Sequence, residues 1–203
     1  NVAGMVGHTA VRYYVMGERP VEELATDEEI KRMAEIVGES MDGGAVGFST
    51  NRYPPHVGPD GRSIPGTYAE AKELLEIAKV VGEKRGLMQN VLDFGGQPEF
   101  SVKLLKDLAS TTRDRILFSM GTGPDLESGK RVRGLLKELC SEGGDITAIS
   151  QPRSSGFMFG LQSGLPFAGE TWEKIRAMDL KGRLAAIRDQ ETRNKLIDEA
   201  SGS

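Results

Sequence analysis

Short apolar runs start near residues 87, 116 and 146, and each is followed by a helical stripe or a polar turn. A period of about 30 residues is the size of one strand–helix unit. Repeated units of this kind build a parallel sheet with helices packed outside it, either a doubly wound sheet or a (β/α) barrel. The even spacing, the short helices and the lack of an opening Gly-x-Gly-x-x-Gly favour the barrel.

Local signals fill in the pattern. Thr26-Asp27-Glu28-Glu29 is a capping box, and Ile30, Met33, Ala34, Val37 and Met41 follow at helical spacing until Gly43-Gly44. Ala45 to Thr50 reads as a buried strand. Asn51 to Gly66 holds four prolines and three glycines and reads as a long loop. Thr67-x-x-Glu70 offers a second capping box before the stripe Leu74, Leu75, Ile77, Ala78 and Val81, with Gly86 as the stop. The expected strands are 3–7, 45–50, 87–93, 115–120 and 145–150. The expected helices are 27–42, 68–85, 98–112 and 127–142, with a helical tail after 170. Five units fall short of the eight in a closed barrel of about 250 residues. The expectation is therefore a partial barrel over 1–168, a segment of a larger barrel, with 169–203 as a helical tail of the same domain.

Composition narrows the function. Lys and Arg total 26 against 30 Asp and Glu, a net charge of −4, which lacks the basic footprint of a nucleic-acid binder. No window approaches the roughly 18 apolar residues of a membrane span, and Asn1 to His8 lack the basic and apolar regions of a signal peptide. A cytoplasmic location is expected. The single Cys140 forms no internal disulfide and reads as core filler on a helix. Only two histidines are present, His8 and His56, whereas catalytic zinc takes three protein ligands.

In a barrel the working residues sit just after the strands. That rule selects His8, Arg52, Asn90, Asp93, Gln151 and Arg153, with Asn51 beside them. Asp93 is the candidate general base, or alternatively a loop cap. Arg52 and Arg153 could clamp a carboxylate by paired hydrogen bonds, or lie in surface ion pairs. His8 is a ligand or proton carrier, or a hydrogen-bonded structural residue. His56 reads as a solvated loop residue, or alternatively as part of a lid over the site. No Walker A loop, nucleophile elbow or His-x-His is present.

Three stretches resemble the N-acyl-D-amino-acid deacylase (D-aminoacylase) branch of the amidohydrolase superfamily. They are Asn1 to Arg12 with Val15-Met16-Gly17, then Gly43 to Thr50, then Ser150-Gln151-Pro152-Arg153 through Gly160-Leu161-Gln162 with Pro166-Phe167. The resemblance covers most of the chain and is weakest between 95 and 145. It implies a (β/α) barrel with a small β-sandwich, and a divalent metal, usually zinc, that hydrolyses the amide C–N bond of a small N-acyl amino acid. It places the family's His-x-His and last-strand Asp outside this chain. It places two metal-binding histidines at Val91 and near Met120, neither of which can bind zinc. The implied site is therefore Asp93 as the catalytic residue and His8, Arg52, Asn90, Gln151 and Arg153 around the substrate, with no metal held tightly by this segment. The implied partners are a small amide and either a second copy or the rest of the barrel, with neither nucleic acid nor membrane. The alternative is a catalytically inactive barrel that serves as a binding or assembly module.

Overall fold

A computed structural model describes residues 2–58, 60–94, 96–112, 115–120, 126–141, 146–150, 160–162 and 164–201. The chain divides into two compact units, residues 1–151 and 152–203.

The first unit is α/β. Its strands are β1 (Val6–Gly7), β2 (Gly47–Asn51), β3 (Leu87–Val91), β4 (Ile116–Ser119) and β5 (Ile146–Ile149). Between them lie α1 (His8–Met16), α2 (Asp27–Asp42), α3 (Ala71–Glu83), α4 (Pro98–Thr112) and α5 (Leu126–Ser141). All four strand pairings are parallel, and the spatial order is the chain order. Helices α1 to α4 pack each against the next. A doubly wound sheet must reverse its strand order so that helices cover both faces. Nothing reverses here, so the five units form an arc of a (β/α) barrel. The sheet is not closed: β1 and β5 each pair on one side only among the described residues.

The core lies between this arc and its helices. Helix α3 buries Leu74, Ile77, Ala78 and Val81 completely, and α4 does the same with Leu105 and Leu108. Burial of each large side chain contributes roughly 1.5–3 kcal/mol. Across the strands, Phe48, Met88, Ile116 and Ile146 share one register and are buried against the helices.

Four local readings need correction or addition. The box at Thr26 forms as expected, with Glu29 returning to the Thr26 backbone. The one at Thr67 does not: its hydroxyl donates to Ile64 O in a turn, and α3 starts after Glu70, which makes no side-chain cap bond. Helix α1 was not anticipated, because it follows β1 with no capping side chain. Gly86 is not the left-handed residue that ends α3. Arg85 is, at φ 55°, while Gly86 N–H reaches back to Val81 O; a side chain at Gly86 would collide with Met41. Cys140 is exposed, because it lies one helical step past the buried Leu139.

In the second unit, α6 (Glu170–Arg176), α7 (Leu180–Arg188) and α8 (Gln190–Ser201) pack on one another, and the described residues there contain no strand. The Glu199 carboxylate accepts from Thr171 N, Thr171 Oγ1 and Trp172 N at the start of α6. Trp172 Nε1 donates to Leu196 O at 3.0 Å. No helix among the described residues is long and apolar enough to cross a membrane.

Candidate functional site

Alternation along a strand sends successive side chains to opposite faces. Thr50, Asn90, Phe118 and Ala148 share a register on the helix-facing side. Ser49, Gln89, Leu117 and Thr147 share one on the other side, and so do Asn51, Val91, Ser119 and Ile149. This second face is only partly covered, and it is the face a closed barrel turns inward. At its C-terminal end, where barrel sites form, it presents Asn51, Val91 and Ser119.

His8 lies behind that face. It opens α1 straight after β1, and its ring tilts against Phe48 with centroids 5.3 Å apart. Thr50 Oγ1 is 2.8 Å from Nδ1, and Nε2 is 2.5 Å from Glu73 Oε1. The other Glu73 oxygen accepts from Arg12, whose Nε and Nη2 donate to Pro20 O and Glu23 O. His8 and Arg12 are each 2% exposed and Glu73 1%. Burial pushes His8 below its ordinary value, against the opposing pull of Glu73. The ring is then neutral: Nε2–H donates to Glu73, and Nδ1 accepts from the Thr50 hydroxyl. Burial alone would raise the Glu73 carboxyl, but the hydrogen bond from His8 and the charge of Arg12 hold it below the usual range. The group is one buried ion pair with a neutral imidazole attached. Gly66, at φ +96°, lies so close that a Cβ there would be 2.6 Å from His8 Nδ1. Thr9 Oγ1 donates to Pro65 O at 3.0 Å, so the proline-rich loop is fastened onto α1.

Asn90 is fully buried on the helix-facing side. Its Nδ2 donates to Met88 O at 3.2 Å, and its Oδ1 has no partner among the described residues. Asp93 follows β3 and is half-buried; its Oδ1 accepts from Gly96 N at 2.8 Å, and its carbonyl accepts from Ser101 Oγ ahead of α4. Arg52 follows β2, donates to Ala69 O and sits 4.9 Å above the Phe100 ring. Burial lowers its pKa. Gln151 and Arg153 lie outside the described residues.

Two residues gain a place that the sequence did not give them. Glu73 is the hub of the buried group. Its only signal was a carboxylate on the apolar arc of α3, four residues before Ile77. His56 is exposed, but it is held rather than loose: Asn51 Nδ2 contacts its Nδ1, and its ring meets Tyr53 edge-on at 5.3 Å.

The donor set bears on a metal. On the inward face the strand ends offer amide, hydroxyl and aliphatic groups, with Val91 closing β3; Met120 lies just past β4 and is buried. No three His, Cys, Asp or Glu side chains converge among the described residues. Amides and hydroxyls are poor zinc ligands. The described residues do not fit a transition-metal centre.

No family model matches the chain. It is 33% identical over 87 residues to a D-aminoacylase from Alcaligenes xylosoxydans xylosoxydans, a stretch equal to 43% of this chain and 16% of that protein. It also superposes on solved D-aminoacylase structures with a TM-score of 0.60 at 23% identity. One is described as defining a novel subset of amidohydrolases, and another concerns the functional role of the enzyme's binuclear metal centre. That fit covers 75% of this chain, which spans 31% of the solved chains. The chain is thus similar in sequence to a D-aminoacylase over 87 residues, and it shares the fold of D-aminoacylase structures over three quarters of its length.

Proposed function

We propose that this chain contributes an arc of barrel to a D-aminoacylase-like amidohydrolase that hydrolyses the amide C–N bond of a small N-acyl amino acid in the cytoplasm. The observation that carries the reading is the 33% identity to D-aminoacylase, joined to the same strand–helix winding. In this reading Asp93, at the C-terminal end of β3, moves the proton between water and the leaving amine. Arg52 holds the substrate carboxylate with Gln151 and Arg153. His8 and Asn90 serve the site from the wall behind it, by fixing the ends of β2 and β3. The helical stretch 169–203 completes the same domain. A divalent metal, zinc in this reading, supplies Lewis-acid activation of the amide when bound. Its ligands have to come from outside the described residues.

A second reading has its own support. Val91 and Met120 stand where the resemblance puts imidazoles, which favours a barrel that binds without hydrolysing. The protein as its gene encodes it, purified and assayed for divalent metal and for release of amino acid from N-acetyl-D-amino acids, separates the two. Stoichiometric metal and chelator-sensitive turnover support the hydrolase. A metal-free protein without turnover supports the binding barrel. The 203-residue chain alone is expected to bind zinc weakly and to turn over nothing. Submicromolar zinc affinity in a titration of that chain would show the ligand count to be wrong.

A further inference from the structure

We infer that His56 is a substrate-recognition residue: a fixed, outward-facing N–H donor for the carboxylate of the bound amino acid, aimed by Asn51. The inference rests on the amidohydrolase reading for the identity of the ligand. Its geometry stands apart from that reading.

The argument starts at Asn51, the last residue of β2, which lies on the inward face beside Val91. A side-chain amide can be turned either way round, but here the backbone decides. Tyr53 N–H can only donate, and it lies 2.9 Å from Asn51 Oδ1. The amide oxygen is therefore the atom facing Tyr53, and the NH2 group faces the His56 ring. Nδ1 must accept that N–H, so the ring N–H lies on Nε2. With Nδ1 engaged, Nε2–H is the donor left for a ligand.

The loop holds the ring in this pose. His56 N donates to Tyr53 O at 3.0 Å, Ile64 N donates to His56 O, and Val57 bridges Ser63 in antiparallel fashion just beyond. The Tyr53 edge stands against the imidazole at 87°. An exposed donor tied by five residues of chain to the C-terminal end of a barrel strand lies at the rim of the face where such folds bind ligands. Of the two imidazoles in the chain, His8 is sealed behind the sheet, so His56 is the one a ligand can reach. A carboxylate is the matching group, because hydrogen bonds to an ionised acceptor are about twice as strong as neutral ones.

The test is imidazole 15N NMR on the protein as its gene encodes it, titrated with N-acetyl-D-alanine and, in parallel, with N-acetyl-D-alaninamide. Unliganded His56 is expected to show the Nε2–H tautomer, and Asn51→Ala is expected to lose it. N-acetyl-D-alanine should shift the Nε2 resonance, and the amide should not. His56→Ala should weaken binding roughly three- to tenfold. His56→Gln, which keeps an N–H at similar reach, should restore part of it. An Nδ1–H tautomer overturns the inference, and so does an equal response to the amide or an unmoved His56 resonance. Backbone spectra of each variant show that it is folded. Turnover plays no part in this readout. Binding without hydrolysis leaves His56 assigned and removes the amidase reading, whereas hydrolysis with His56 silent does the reverse.

Discussion

A carboxylate with two partners governs the residue scale. Glu73 neutralises Arg12 and orients His8, all three shut away from water. Removing one member of a buried ion pair leaves an uncompensated charge and costs about 3–5 kcal/mol. Glu73→Ala should therefore lose stability on that order in a urea melt. The paired change of Arg12→Met with Glu73→Leu should cost less than the single one. Both titrating groups are shifted downward in the fold, from 6.5 for His8 and from 4.5 for Glu73. The unfolded chain thus binds more protons, and stability should fall as pH drops. The loss should begin below about pH 6.5 through His8 and deepen below about 4.5 through Glu73. A pH series of melting midpoints checks it; a flat profile from pH 7 to 4 would contradict the geometry. Little of this was legible beforehand. A lone histidine reads equally as ligand or as structure, and what decides is a partner 65 residues away.

At the scale of elements, hydrophobic period carried most of the information. Helices α2 and α4 fall on their expected limits, and the strands agree within a few residues. Caps were less legible, because Thr67 and Gly86 carry the right residue types for roles that their tertiary neighbours reassign. Gly47 has such a neighbour too. It opens β2 against Leu87, and a Cβ there would run into the Leu87 backbone. Gly47→Ala should part β2 from β3 and cost several kcal/mol, as changes that displace packed backbone do. Amide exchange in Phe48, Thr50 and Asn90 should quicken more than exchange in α4. Uniform quickening would place the damage elsewhere.

For the molecule as a whole, an open parallel arc is the dominant fact. Strands β1 and β5 each leave one edge unpaired among the described residues, and Ile149 on β5 is 48% exposed. Unpaired edges with apolar side chains recruit further strands. The isolated chain should associate with itself in a concentration-dependent way by sedimentation, and Ile149→Lys should shift it toward monomer. A strict monomer at high concentration would show the edges to be covered. The barrel class was legible in the spacing of the units, and the openness in their number.

The bond between Glu73 and residues 8 and 12 also sets a timetable for synthesis. Chains fold from the N-terminus as they emerge at about 5–20 residues per second. Helix α1 is made before α3, and Arg12 cannot be neutralised in the core until α3 has been translated, some 60 residues later. For that interval the β1–α1 unit has a cation with nowhere dry to go, so it has to stay loose. The units of β1 and β2 then close together with α3 when Glu73 arrives, and a ribosome stalled before that codon should carry a nascent chain open to protease along all of α1.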